Sequence, residues 1–182
     1  KYVEKHYGEG DGKGKRILNP VTEVTMDENS YMEMEMVQIK GVDSTRRMTK
    51  ADLAAGAKLI IRERLLTHGD QHAESGFVVN LNGEDSSANV ISRSVAKNNS
   101  TQVFNAEING NAKCAGHSEC DAIIMDHAKI SAIPKIVAND IDAALIHEAA
   151  IGKIAGEQLI KLMTLGLTEQ EAEAQIVNGF LK

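Results

Sequence analysis

The clearest pattern in the chain is the strict alternation of Tyr31-Met32-Glu33-Met34-Glu35-Met36-Val37-Gln38-Ile39. Apolar Met32, Met34 and Met36 are separated by Glu33 and Glu35. A period of two sends neighbouring side chains to opposite faces, which predicts a strand with one buried and one wet face. The thioethers read as flexible core filling rather than as a soft metal site. Thr22 to Met26, Leu59 to Ile61, Phe77 to Leu81, Asn89 to Val95, Thr101 to Ile108, Asp121 to Met125, Ser131 to Val137 and Ala143 to Ile146 are further short β-like runs. Turn residues divide them: Ala54-Ala55-Gly56-Ala57 before one, Lys97 to Ser100 before another, Asn109-Gly110-Asn111 after a third. Lys50 to Ala55 also allows a short helix.

From about Ser75 to Ile146 the runs recur roughly every 10–12 residues, which permits a sandwich, a barrel or a β-helix. Three features favour the β-helix. The runs are very short, small residues recur (Ala106, Ala112, Ala122, Ala132, Ala138), and Asn and Ser are plentiful enough to form ladders between stacked rungs. Proline occurs only at Pro20 and Pro134, as paired central strands require. Spacing alone leaves the choice open.

The pattern changes at His147-Glu148. A helical repeat takes over at once, with Ile151, Ile154, Ala155, Leu159, Leu162 and Met163 at three- and four-residue intervals. Gly166 suits a left-handed helix terminus. Thr168-Glu169-Gln170-Glu171 spells a capping box for a second helix with Ala172, Ile176 and Val177 on one side. We therefore expect a β-structured core over residues 1–146, with a flexible loop in 1–20, and a helical hairpin over 147–182.

Composition narrows the function. Aromatics make up 3% with no Trp, so Ile, Val, Leu, Ala and Met must fill the core. The net charge of −6 and the lack of a Lys/Arg cluster argue against nucleic acid. No run approaches the ~18 apolar residues of a membrane helix. Nothing indicates secretion, and two cysteines, Cys114 and Cys120, are too few for a disulfide scaffold, which predicts reduced thiols in the cytoplasm. The chain opens on Lys1-Tyr2-Val3 without an initiator Met, so we expect part of a longer protein. The Gly-rich stretch from Lys5 to Lys15 lacks the Gly-Lys-Ser/Thr of a phosphate loop and reads as a flexible loop.

Candidate chemistry is sparse. Cys114, His117, Glu119 and Cys120 look rich in ligands, but a closed zinc site draws spaced pairs from two elements, and Gly116 suggests a turn between the cysteines. His68 and His72 flank Gly69-Asp70, which argues against a helical ligand pair. His127 sits near a turn and reads as solvated. His147 and Glu148 stand where the pattern changes.

A longer pattern runs through this region. Ala144-Leu145-Ile146-His147-Glu148-Ala149-Ala150-Ile151-Gly152-Lys153-Ile154, then Glu157-Gln158-Leu159, then Gly166 to Ala172, and finally Ile176-Val177-Asn178-Gly179-Phe180, resembles the C-terminal core of the SufB/SufD family. These are scaffold subunits of the SUF iron–sulfur cluster assembly system. A looser likeness continues upstream through Phe104, Gly110, Cys120-Asp121-Ala122 and Pro134.

The resemblance implies a right-handed parallel β-helix followed by a small C-terminal α-helical hairpin. It implies a non-catalytic scaffold that docks a SufC-like ATPase through the C-terminal helices. Pairing would be as a homodimer or as a SufB/SufD-type heterodimer, through the end of the β-helix. Cys120, His147 and Glu148 are then the residues implied to hold a transient iron–sulfur cluster as thiolate, imidazole and carboxylate ligands. Leu145 and Ile146 stand where the family's branches carry a cysteine and a glutamate. That departure keeps a second expectation open, a structural or regulatory partner of the ATPase that carries no cluster.

Overall fold

The computed structural model describes residues 1–9 and 14–182. Its strands are β1 (Tyr2–Tyr7), β2 (Ile17–Leu18), β3 (Val21–Met26), β4 (Tyr31–Lys40), β5 (Ser44–Leu53), β6 (Lys58–Thr67), β7 (His72–Leu81), β8 (Ser87–Ala96), β9 (Thr101–Gly110), β10 (Ala115–Ile124), β11 (Lys129–Ala138) and β12 (Ala144–Gly152). Two helices follow, α1 (Gly156–Thr164) and α2 (Glu169–Phe180).

Every strand pairing among the described residues is parallel. One sheet runs β1-β4-β6-β8-β10-β12, and the other runs β11-β9-β7-β5-β2 with β3 also on β5. From β3 onward successive strands alternate between two sheets, and from β6 onward each coil takes 28 or 29 residues, as the strand starts at 58, 87, 115 and 144 set out. The result is a parallel β-helix of about five turns.

The core lies between the sheets. Met34, Met36, Leu53, Leu59, Ile61, Phe77, Val79, Leu81, Val90 and Ile108 are all at most 1% exposed. The expected ladders are present: Asn111 Nδ2 donates to Asn82 Oδ1 and Asn139 Nδ2 to Asn111 Oδ1, each at 2.7 Å, joining three coils. Each bond saturates a corner amide that the turn would otherwise leave to solvent. Gly56 and Gly69 take positive φ in the turns, and Asn29, Asp85, Asn98 and Asp126 do the same at other corners. Asn and Asp tolerate that conformation better than other non-Gly residues.

Several boundaries differ from the sequence pattern. Most strands are ten residues long rather than very short, because their outward positions are polar and hide the alternation. Lys50 to Leu53 is strand, not helix. The N-terminal loop gives way to β1 paired with β4, and to β2; Gly10 and Gly12 lie outside the described residues. Gly116 is not in a turn but at an inward position of β10, where a Cβ would come within 2.7 Å of Leu145 Cδ2 and 2.8 Å of Ile108 Cγ2. Close packing of the last coils is what requires glycine there.

The largest correction is at the C-terminus. His147 and Glu148 lie inside β12, which pairs in register with β10 from Ala144 to Gly152. The helix starts only at Gly156, so Ile151 belongs to a strand. The i, i+3, i+4 spacing of Ile151, Ile154 and Ala155 is coincidental; backbone pairing on an existing sheet outweighs it. The remaining helix signals hold. Gly166 takes φ +95°, and the Thr168–Glu171 capping box is formed. α2 anchors the hairpin to the first sheet through Val177 and Leu181, which pack with Val95, Leu66 and Ile123. α1 buries no residue.

Candidate functional site

Register decides what meets at the open C-terminal end of the β-helix. On the inward side of the first sheet, Met36, Glu63, Ser92, Cys120 and Ala149 are aligned across five strands. The neighbouring column is Met34, Ile61, Val90, Ser118 and His147. Cys120 and His147 thus share the inward face on adjacent strands but stand in neighbouring columns, Cys120 opposite Ala149 and His147 opposite Ser118. Glu148, next in sequence, points the other way, and its side chain is 66% exposed. Of the three residues singled out from sequence, the fold turns two to the inward face and the third to the outside.

Cys120 is 1% exposed and sits in the main core. Burial, with the charges of Glu63 and Asp121 adding to it, pushes its thiol up to about 12. It is a protonated thiol in this closed arrangement, so nucleophilic or metal-binding use requires the interior to open. Two polar atoms beside it are buried without a hydrogen-bond partner, Ser118 Oγ and His147 Nδ1. Buried polar atoms are rarely left unmatched. Thr49 Oγ1 and Gln102 Oε1 are likewise buried without a partner elsewhere in the interior. Cys114 is also buried, in the turn before β10, and burial raises its thiol too.

Further inside lies a polar hub that the sequence did not reveal. Glu63 accepts from Ser75 Oγ at 2.5 Å, Ser92 Oγ at 2.7 Å and Arg47 Nη1 at 3.1 Å. Arg47 also donates through Nη2 to His6 Nδ1 at 2.8 Å, and His6 in turn pairs with Glu4. Burial and the Arg47 charge lower the His6 imidazole, which keeps it neutral and able to accept. Arg47 and Glu63 are 16 residues apart in sequence, and they meet because they stand on facing strands of the two sheets.

Outside, His117, Glu119 and Glu148 converge. His117 Nδ1 lies 3.0 Å from Asn89 Oδ1, and Nε2 lies 3.4 Å from Glu148 Oε2. Glu119 pairs in register with Glu148. Burial, then the hydrogen bond with Asp121 and its charge, raise the Glu119 carboxyl above the ordinary carboxylate range. The cysteines take no part, because alternation turns Cys120 inward while His117 and Glu119 face out. The four-residue Cys/His/Glu/Cys cluster read from sequence is therefore split between two faces. Leu145 packs against the core, and Ile146 is 56% exposed on an apolar groove that also touches Tyr31, Ile60 and His117. His127 is exposed in its turn.

These features define a class: a two-sheet parallel β-helix with an inward thiol and imidazole near one open end and a helical hairpin on its flank. Over residues 20–180 the chain matches the family described as SUF system FeS cluster assembly, SufBD core domain, and it belongs to that family. It is 33% identical over 182 residues to an iron–sulfur cluster assembly SufBD family protein of Methanocaldococcus jannaschii, covering 99% of this chain and 57% of that relative. A SufBD family protein of Archaeoglobus fulgidus is 30% identical over 167 residues, covering 91% of this chain and 45% of the relative. The chain thus spans about half the length of these curated relatives.

Proposed function

We propose that the chain is a scaffold subunit in iron–sulfur cluster assembly rather than a catalyst, working in the cytoplasm. Cys120 and His147 hold sulfur and iron at the C-terminal end of the β-helix, and Glu148 contributes from the outer face. The observation that carries this is the inward placement of Cys120 beside two orphaned polar atoms, Ser118 Oγ and His147 Nδ1. A thiolate and an imidazole suit iron, but two inward donors are too few for a cluster, so the remaining ligands come from a second chain.

Pairing through this end, with a second copy or a related chain, is supported by the unfinished last coil. β11 and β12 are the outermost strands, and inward-facing Ile136 and Ile151 are 39% and 40% exposed. A SufC-like ATPase docks on α1, whose Ile160 and Met163 are exposed together with Leu165 just beyond it. Nucleotide-driven movement of the ATPase opens the interface and frees the Cys120 thiol.

The test is anaerobic reconstitution of the full-length protein with ferrous iron, a sulfide source and the ATPase. Cys120→Ala and His147→Ala should each abolish the cluster absorption. A spectrum unchanged by both removes the assignment. A second reading, a structural partner that never carries a cluster, is favoured by Leu145 packing in the core and Ile146 lying on an apolar groove where ligands would be needed. It predicts ATPase binding without any cluster.

A further inference from the structure

We propose that His117, Glu119 and Glu148 form a binding site for a divalent first-row transition-metal ion on the outer face of the β-helix, separate from the interior thiol. One ligand atom from each residue lies within 4.8 Å of the others. The three come from two adjacent strands, so a rigid parallel pair rather than a loop sets their spacing.

The orientation of His117 is the second observation. Asn89 Oδ1 is 3.0 Å from Nδ1 and accepts its proton, which fixes the tautomer. Nε2 is then left with a lone pair that faces the Glu148 carboxylate at 3.4 Å. The contact is favourable with a cation shared between the two atoms, either a second proton on the imidazole or a metal ion. A second proton on the imidazole would serve in principle, but charge-assisted N–H···O contacts close to about 2.7–2.9 Å. Two ligands each ~2.1 Å from a metal stand about 3.4 Å apart at the tetrahedral angle. The observed separation of 3.4 Å leaves room for the ion. An outer-sphere carbonyl on the far imidazole nitrogen is also how metal-bound histidines are usually held.

The donor set selects the ion. One imidazole with two carboxylates suits iron, manganese, cobalt or zinc in the divalent state and discriminates against magnesium and calcium, which prefer oxygen alone. Glu148 is on the outermost strand and mostly exposed, so coordination positions remain open to solvent or to a second chain. That the ion is ferrous iron destined for Cys120 rests on the assembly reading; the site itself does not.

Cobalt(II) is the probe. The full-length protein is titrated anaerobically, with visible absorption as the readout and magnesium as the competitor. One cobalt per chain should bind with bands of nitrogen and oxygen ligation, unaffected by excess magnesium. His117→Ala and Glu119→Gln should weaken binding at least ~10-fold, and Asn89→Ala, which keeps all three ligands, by about 10–100-fold. Unfolding midpoints equal to wild type make those losses interpretable, and Asn89→Ala covers the case in which a ligand variant does not fold. Equal affinity in all three variants, displacement by magnesium, or a thiolate charge-transfer band lost in Cys120→Ala would overturn the site. Cobalt binding that survives Cys120→Ala, together with cluster formation that fails in the same variant, supports both readings. Cluster formation untouched by His117→Ala would sever the site from assembly while leaving it as a metal site.

Discussion

His147 and Glu148 are neighbours in sequence but face opposite sides of β12: the Nδ1 of His147 is buried without a partner, while Glu148 is exposed and 3.4 Å from His117 Nε2. One peptide bond separates an interior candidate ligand from an exterior one. The strand's period of two is the whole cause. Had β12 ended at His147 and a helix begun there, both side chains would have been free to turn toward one site.

This division makes thiol access the first check on the interior. In the isolated native chain both cysteines are buried, Cys120 at 1% and Cys114 at 6% exposure. Alkylation by iodoacetamide at pH 8, followed by mass spectrometry, should be more than ~10-fold slower than in the denatured chain, since only thiolate reacts. Adding the ATPase with nucleotide should speed labelling of Cys120 selectively if that partner opens the interface. Equal labelling of native and denatured chains would mean that the core is not closed around the thiol.

The same thiol gives a pH dependence whose sign can be worked out. Its ordinary value is 9.0 and its folded value about 12, so over that range the folded chain holds a proton that the unfolded chain releases. The stabilisation is fully present below about pH 9 and is lost as pH rises toward 12. The slope from this one group is at most about 1.4 kcal/mol per pH unit. Urea unfolding of Cys120→Ala should lack that component of the decline. Glu63→Gln should reduce it, because the Glu63 charge is the second cause of the shift.

Much of the fold was legible because its signals are local. The Met34 and Met36 stripe, the small-residue turn at Ala54–Ala57 and the Thr168 capping box each need only a few consecutive residues. What escaped was anything set by the 28- or 29-residue coil. Asn82, Asn111 and Asn139 repeat at that interval and were the available clue. Applying it would have aligned Glu119 with Glu148 and shown the outer cluster. The Arg47–Glu63 hub could not be found that way, because it joins facing sheets, and its residues look like ordinary surface charges in sequence.

That hub should be costly to break and much less costly to replace. Arg47 and Glu63 side chains are each 2% exposed. Glu63→Ala leaves a buried guanidinium without its main counter-charge and should lower stability by about 3–5 kcal/mol. Exchanging both partners, Arg47→Met with Glu63→Met, should recover most of that loss, because well-packed apolar side chains often match a buried ion pair. Denaturant midpoints of Arg47→Met, Glu63→Met and the double variant close the cycle. A double variant as unstable as the single would mean that the hub's hydrogen bonds to Ser75, Ser92 and His6 matter more than its charges.

Gly116→Ala tests how tightly the last coil is seated. The new Cβ would press on the Cδ2 of partly buried Leu145 and on the Cγ2 of fully buried Ile108. Overpacking of this kind costs about 1–3 kcal/mol. The effect should concentrate at β12, because it is an outermost strand held on one edge only by β10. Hydrogen exchange should therefore quicken over residues 144–152 while β6 and β7 stay protected. Uniform loss of protection would show that the coil does not yield locally and that the strain spreads through the stack.

The two helices of the hairpin should respond to substitution in opposite ways. α1 buries nothing, and Ile160 and Leu165 are 63% and 75% exposed. Ile160→Glu with Leu165→Glu should change stability by no more than about 0.5 kcal/mol for each site, as expected of open surface. If the ATPase docks there, the same pair should abolish its binding, since a desolvated carboxylate in an apolar contact is strongly unfavourable. Val177 is 4% exposed against Val95, so Val177→Asp should instead release α2 from the β-helix. Truncation after Gly152 completes the comparison, because it removes both helices and keeps β12 intact. Binding that survives truncation would place the ATPase on the β-helix itself, and the exposed apolar face of α1 would then need a different partner.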